Sequence, residues 1–315
     1  MRPRTLIVML AVLLAATCVR HPMPNAARQS HSFPASAGKL VRLDVGPLDV
    51  HVEVAEAESI SATVDLQVQS SSRNAASRWI ERHTPVFDDS PSVLEVRLPE
   101  QARHGLFIIG FLNARARIDL VVPPRCRLEV ATSSGDVTIA GGATLAEPVR
   151  VKTSSGDVRV TGGLSALIAD TSSGDVRVSG APLTSFEADT SSGDVTLSGG
   201  AARALVDTSS GDVKLDELTG SLSADSSSGD VSANWARLPA GATLHARTTS
   251  GDVRFRVPAG TPLRGGISTH SGRLASDVAA TRGERGHQLS FTSPGEAPEV
   301  EIRTTSGDVF LHTRS

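Results

Sequence analysis

From Val130 onward, apolar and polar residues alternate in short runs, and the same piece of sequence recurs between the runs. The copies align on nine glycines: Gly135, Gly156, Gly174, Gly193, Gly211, Gly229, Gly251, Gly272 and Gly307. Five residues before each stands an apolar side chain (Val130, Val151, Ala169, Ala188, Val206, Ala224, Ala246, Ile267, Ile302), and three before stands Thr or Ser. Two residues after come Val137, Val158, Val176, Val195, Val213, Val231, Val253, Leu274 and Val309. Period-two alternation on both sides of the glycine predicts two short strands joined at a Ser-Ser-Gly-Asp corner.

One such unit buries too little to stand alone, so its apolar column has to be covered by that of the next unit. The fold class expected is therefore all-β, a single-chain β-solenoid or β-helix of about nine repeats of 18–22 residues. The last interval, Gly272 to Gly307, is 35 residues long, which predicts a missing or disguised copy to which Leu289 and Phe291 would belong. Val300, Ile302, Val309 and Leu311 are then expected to build the closing coil.

At the corner, glycine is expected to supply a backbone conformation that other residues resist, with Ser and Asp side chains accepting from amides the bend leaves unpaired. Asp136 and Asp308 also stand at repeat turns; Asp157, Asp175, Asp194, Asp212, Asp230 and Asp252 would form one outward column, and Asp170, Asp189, Asp207 and Asp225 a second. Carboxylates at strand spacing repel by about 1 kcal/mol per neighbour in water. The offsets available are local amide hydrogen bonds, the bases Arg159, Arg177, Lys214 and Arg254, or a divalent cation. The spacing does not match calcium-binding nonapeptide repeats, so a structural aspartate ladder is expected, with no metal and no cofactor.

Tandem units of apolar-x-apolar-x-Thr-Ser-Ser-Gly-Asp-Val-x-apolar behind an export signal resemble the bacterial "toastrack" family of adhesin-type envelope proteins, a domain of unknown function. The resemblance covers residues 39–315. It implies a β-solenoid of the cell envelope; it implies no reaction.

The N-terminal third is less regular. Residues 39–125 are strand-rich, and Leu48-Asp49-Val50-His51-Val52 looks like a worn copy of the repeat. Asn74 to His83 reads as a short helix, with Asn74 as its N-cap and with Ala76, Trp79, Ile80 and His83 on the face that covers an open end of the stack. Residues 19–38 lack an apolar period and read as a flexible linker. Gly105 to Leu112 is the most apolar run after the leader. It is expected either as a strand buried on both faces or as an exposed tip that touches partner or membrane through Leu106, Phe107, Ile108, Ile109, Phe111 and Leu112.

Residues 1–18 read as an export signal: Arg2 and Arg4, then an apolar core from Leu6 to Ala16 too short to span a bilayer. Cys18 sits where a lipoprotein signal places its lipidated cysteine, and Leu14-Ala15-Ala16-Thr17-Cys18 resembles a lipobox, departing from it at Ala15 and Thr17. Cys18 is lipidated, or ordinary cleavage occurs between Ala16 and Ala27. Either way Cys126 has no intrachain partner, so it is expected to fill space without forming a disulfide.

Composition narrows the function. Aromatics make up 3% and tyrosine is absent, which suits thin coils. The 31 basic and 34 acidic residues are interspersed, so no nucleic-acid footprint is expected. No nucleophile elbow, zinc-ligand helix or phosphate loop occurs, and the histidines are scattered singly, so the chain is not expected to be an enzyme. A polysaccharide-active β-helix is the catalytic alternative, since some solenoids cleave glycans with clustered carboxylates. The expected function is a non-enzymatic envelope module, membrane-anchored or periplasmic or at the cell surface, that binds a cell-surface glycan or an envelope protein and holds the membrane through a lipid on Cys18. The alternative is an accessory of an envelope-stress or membrane complex.

Overall fold

The computed structural model describes residues 23–70, 72–99 and 113–314. Its unit is the predicted one. Strand Val149–Thr153 runs into the corner and strand Val158–Val160 leaves it in a second sheet. Upstream strands stack in parallel register, Val130 on Val151 on Ala169 on Ala188, and downstream strands do the same, Val137 on Val158 on Val176 on Val195. Among the described residues the two sheets have 14 and 13 strands. Their facing columns of Val, Leu, Ile and Ala form one continuous core, with Phe186, Trp235 and Phe255 fully buried in it. The Thr three before each glycine points into the same core, as at Thr153, Thr171 and Thr190.

The repeat glycines are there for a different reason from the one expected. None of them has a positive φ. A Cβ on Gly193 would stand 1.9 Å from the carbonyl oxygen of Gly174, and one on Gly174 would stand 1.9 Å from that of Gly156. The same close approach recurs along the column, so glycine is needed because each corner lies against the carbonyl of the level stacked before it. The corner amides are satisfied by Thr and Asp side chains: Gly156 N–H donates to Thr153 Oγ1 at 3.0 Å, and Gly174, Gly193 and Gly211 repeat this bond with Thr171, Thr190 and Thr208.

The stacking order departs from the sequence order at both ends. Strands Glu299–Thr304 and Val309–Arg314 are inserted between the Gly251 level and the Gly272 level. No coil is missing from the 35-residue interval. Leu289 and Phe291 lie in Gln288–Thr292, which runs antiparallel to Arg264–Thr269 and covers the end of the core. Val300, Ile302, Val309 and Leu311 therefore build the penultimate level. At the other end, strands Leu40–Asp44 and Asp49–Val54 lie between the level of Val93–Arg97 with Asn113–Val122 and the Gly135 level. The worn copy is a full level: Leu48 O takes the place of the glycine carbonyl, 1.9 Å from where a Gly135 Cβ would be. Inserting the outer strand pairs leaves each of them hydrogen-bonded on both sides, which protects parallel edges that would otherwise fray.

Residues 23–34, read above as linker, form a 12-residue edge strand, Met23–Pro34, antiparallel to Ser59–Ser70 along its whole length. An edge strand lying outside the facing columns needs no apolar period, so none is written in it. Lys39 anchors its end: the 1% exposed side chain donates to Asp89 at 2.6 Å and to Pro34 O at 2.9 Å. The helix α1 spans Arg73–His83, and its N-cap is Ser72 in place of Asn74, with Ala75 N–H donating to Ser72 Oγ at 3.4 Å. Ala76 is buried, and Trp79 and Ile80 pack on the core, so α1 does cover an end of the stack. The His83 ring stacks on Trp79 at 4.2 Å.

Two predictions follow from this packing. Gly193→Ala should cost about 3 kcal/mol or more in denaturant unfolding, because a carbonyl occupies the methyl site, whereas Gly142→Ala, with nothing within 4 Å, should change stability by less than ~0.5 kcal/mol. Truncation after Pro298 removes an interior level, so limited proteolysis should cut throughout 259–298; a protected 259–298 segment would contradict the inserted topology.

Candidate functional site

The corner residues singled out in the sequence come together as one ladder. Asp157 N–H donates to Asp136 Oδ1 at 2.9 Å, Asp175 to Asp157 at 3.0 Å, Asp194 to Asp175 at 2.8 Å and Asp212 to Asp194 at 2.9 Å. The ladder begins at Asp49, which receives Asp136 N–H, and continues through Asp230 and Asp252 to Asp308. Arg273 closes it: its N–H donates to Asp308 Oδ1 at 2.8 Å and its guanidinium to Oδ2. Those two bonds hold the Asp308 carboxyl below the usual carboxylate range. Further charge is offset by the bases of the neighbouring strand, Arg177 at 2.6 Å from Asp175 and Arg254 at 2.6 Å from Asp252. Each corner carboxylate is thus committed to a stacking contact. Among the described residues no three His, Cys, Asp or Glu side chains are grouped to hold a metal ion.

The second column behaves in the opposite way. Asp170, Asp189, Asp207 and Asp225 stand in register on the outer face of the upstream sheet, pointing to solvent. Among the described residues no amide donates to them. Lys152 pairs with Asp170 at 2.7 Å, and His245 Nε2 lies 3.8 Å from Asp225. Partial desolvation, with Asp189 and Asp225 on either side, pushes the Asp207 carboxyl up from its ordinary value.

Beside this column, towards the N-terminal end, the outer face carries a shallow groove of about 420 Å³. Ala131 and Ile168 are its outward apolar residues, while Leu43, Val130 and Val151 lie beneath it with their side chains in the core, and its rim alternates in charge: Arg42, Asp44, Glu129, Arg150, Lys152 and Asp170. Arg42 Nε donates to Glu129 at 2.9 Å, which spreads the rim charges into fixed pairs. Arg150 makes no ion pair among the described residues. The groove was not foreseen, because its rim residues come from levels far apart in the chain; only the strand register makes Arg42, Glu129 and Arg150 neighbours.

The remaining candidates fall elsewhere. Cys126 is 2% exposed, and burial raises its thiol pKa, which suits a space-filling role. Cys18 and the run Leu106, Phe107, Ile108, Ile109, Phe111 and Leu112 lie outside the described residues.

Two stacked sheets joined at Ser-Gly-Asp corners, with this spacing, match the family model Toastrack DUF4097 over residues 49–312. The chain belongs to that family. Solved structures share the toastrack fold: a candidate adhesin from Parabacteroides distasonis is 15% identical, with 91% of this chain and 97% of that one aligned at a TM-score of 0.52. A candidate lipid-binding protein from the same organism is 13% identical, with the same coverages and a TM-score of 0.52. No curated protein matches the chain in sequence. At these identities the likeness is one of fold.

The two aspartate columns of this toastrack solenoid should respond to substitution with opposite signs. Asp194→Ala removes the acceptor of Asp212 N–H and should cost about 1–2 kcal/mol. Asp207→Asn relieves like-charge contacts and should stabilise by ~0.2–1 kcal/mol at neutral pH. With its folded pKa raised, Asp207 destabilises fully above that value, and the penalty fades as pH falls to the ordinary carboxylate value. The Asp207→Asn gain in melting temperature should therefore vanish in acid; a gain independent of pH would show that charge is not its cause.

Proposed function

We propose that the chain is a non-enzymatic binding module of the cell envelope, acting through the outer face of the upstream sheet on a cell-surface glycan or an envelope protein. The observation that carries this is the groove: a shallow concavity in which Arg150, without an ion pair among the described residues, stands beside Ala131 and Ile168 on a lattice of paired charges. A flat sheet with side chains held at strand spacing suits extended, repetitive ligands, because each level offers the same contact again. The repeat acids, which would be the raw material of a glycan-cleaving site, are taken up by amide bonds at the corner or stand in a single column on the face. Glycan hydrolysis needs two carboxyl groups that flank the scissile bond, whereas these stand side by side in one column on one face. The toastrack relatives described as candidate adhesins fit the same reading.

The test is retention of purified cell-wall and capsular polysaccharides, and of whole cells, on the immobilised Cys18→Ser chain. Saturable, salt-weakened retention is expected, reduced roughly tenfold by Arg150→Gln with Lys152→Gln at about 1.4 kcal/mol per tenfold. Retention unaffected by that pair would remove the groove from the account. Shortening of the polysaccharide on incubation would replace a binding module by an enzyme.

A further inference from the structure

The antiparallel strands at the N-terminal end overrun the solenoid. Asp49 is the first residue of its strand and pairs with Arg117, so Asn113–Ala116 continue four residues past the corner. At strand spacing this is a projection of about 13 Å. Leu66 to Gln69 accompany them, with Gln69 opposite Asn113, and Met23 to Ala27 form the outer strand, with Met23 opposite Ser70. The result is a three-stranded tongue. Its inner side chains Leu66 and Val68 are 1% exposed because α1 folds back over them from Ser72.

This lobe is basic within an acidic chain. Residues 23–30, 65–83 and 113–117 hold six arginines against Asp65 and Glu81, while the chain as a whole carries a net charge of −3. Arg117 is paired with Asp119. Arg28, Arg73, Arg78, Arg82 and Arg115 make no ion pair among the described residues, and Arg73 and Arg78 are exposed on α1. Residues 1–22 join the fold at the tip, at Met23. Cys18, the residue the sequence marks for a lipid, is five residues from Met23, a reach of at most about 17 Å. With Met23–Pro34 a strand rather than a linker, nothing longer separates the rod from that cysteine.

We propose that the tongue and α1 seat on an anionic phospholipid surface, so that the chain meets a membrane at the side of its N-terminal end. Arginines without protein partners at the tip meet the headgroup phosphates, and the groove on the upstream sheet is left free along the side of the rod. The inference rests on the reading of the chain as an envelope protein, and it adds where and how the membrane is met. A juxtamembrane arginine is worth about a fivefold change in binding to an anionic surface.

The test uses residues 18–315 with Cys18→Ser, which contain every described residue and carry no lipid, so that only surface contact is read. Cosedimentation with phosphatidylcholine vesicles is compared with vesicles that also contain phosphatidylglycerol. Binding to the anionic vesicles alone is expected, weakened roughly 25-fold by Arg73→Gln with Arg78→Gln. The charge-matched control Arg247→Gln with Arg285→Gln should leave it unchanged. A polarity-sensitive probe on Asn74→Cys should shift to the blue on the vesicles, and one on Glu284→Cys at the far end should not; buried Cys126 stays unlabelled. No binding to the anionic vesicles, equal loss in the control pair, or a shift at position 284 would each overturn the proposal. Circular-dichroism melts of both pairs check that folding is intact. Polysaccharide retention is measured without lipid, so either result can fail without the other.

Discussion

The structure depends on how closely one corner can lie over the next. Strands in a sheet are separated by a fixed hydrogen-bonding distance, and at the corner that distance places the carbonyl of one glycine where a side chain of the next would begin, 1.9 Å from the Cβ site of Gly193. Only glycine permits it. The rest of the corner follows from that contact: backbone this tightly stacked must still satisfy its amides, and the Thr hydroxyl inside and the Asp carboxylate outside supply the two acceptors. The Thr hydroxyl accepts within its own level, and at Thr248, Thr269 and Thr304 it also donates to the glycine carbonyl of the neighbouring level, whereas Asp accepts from the amide of the next level.

The same residue type therefore has two physical states in one molecule. A corner aspartate gains an amide and a nearby guanidinium, as Asp308 does from Arg273, and its charge is held. A face aspartate such as Asp207 gains only other carboxylates, and its charge is disfavoured. The acidic row persists at some cost to stability, next to a groove whose cations are partly unpaired. A surface kept in that condition is available for contact, whereas the corner is fully occupied by its own stacking.

Both ends of the rod solve one problem. A parallel stack ends in an edge with exposed amides and an uncovered apolar column. At the C-terminal end the antiparallel strand Gln288–Thr292 brings Leu289 and Phe291 over the core; at the N-terminal end the Met23–Pro34 strand and α1 do so with Phe33, Trp79 and Ile80. The chain then turns back, so that its own last strands, Glu299–Thr304 and Val309–Arg314, are interior.

The sequence by itself determined the unit: the alternation around Gly156, the corner, the inward Thr and the outward Asp are local, and the repeat restates them from copy to copy, with Ser226 for Thr and Arg273 for Asp. It also carried the family, because the signature residues are the ones that stacking selects. It did not show the order in which levels stack, because Val253 finds the same apolar, in-register partner in Val309 as it would in Leu274, and local pattern cannot choose between equivalent neighbours. Nor did it show that residues 23–34 are a strand, since an edge outside the two facing columns needs no hydrophobic period. The groove and the basic lobe are products of register alone: Arg42 meets Glu129, and Met23 meets Ser70, only once distant strands are paired. Surface charge is placed by tertiary structure because outward positions are free of the packing constraint that made the core legible.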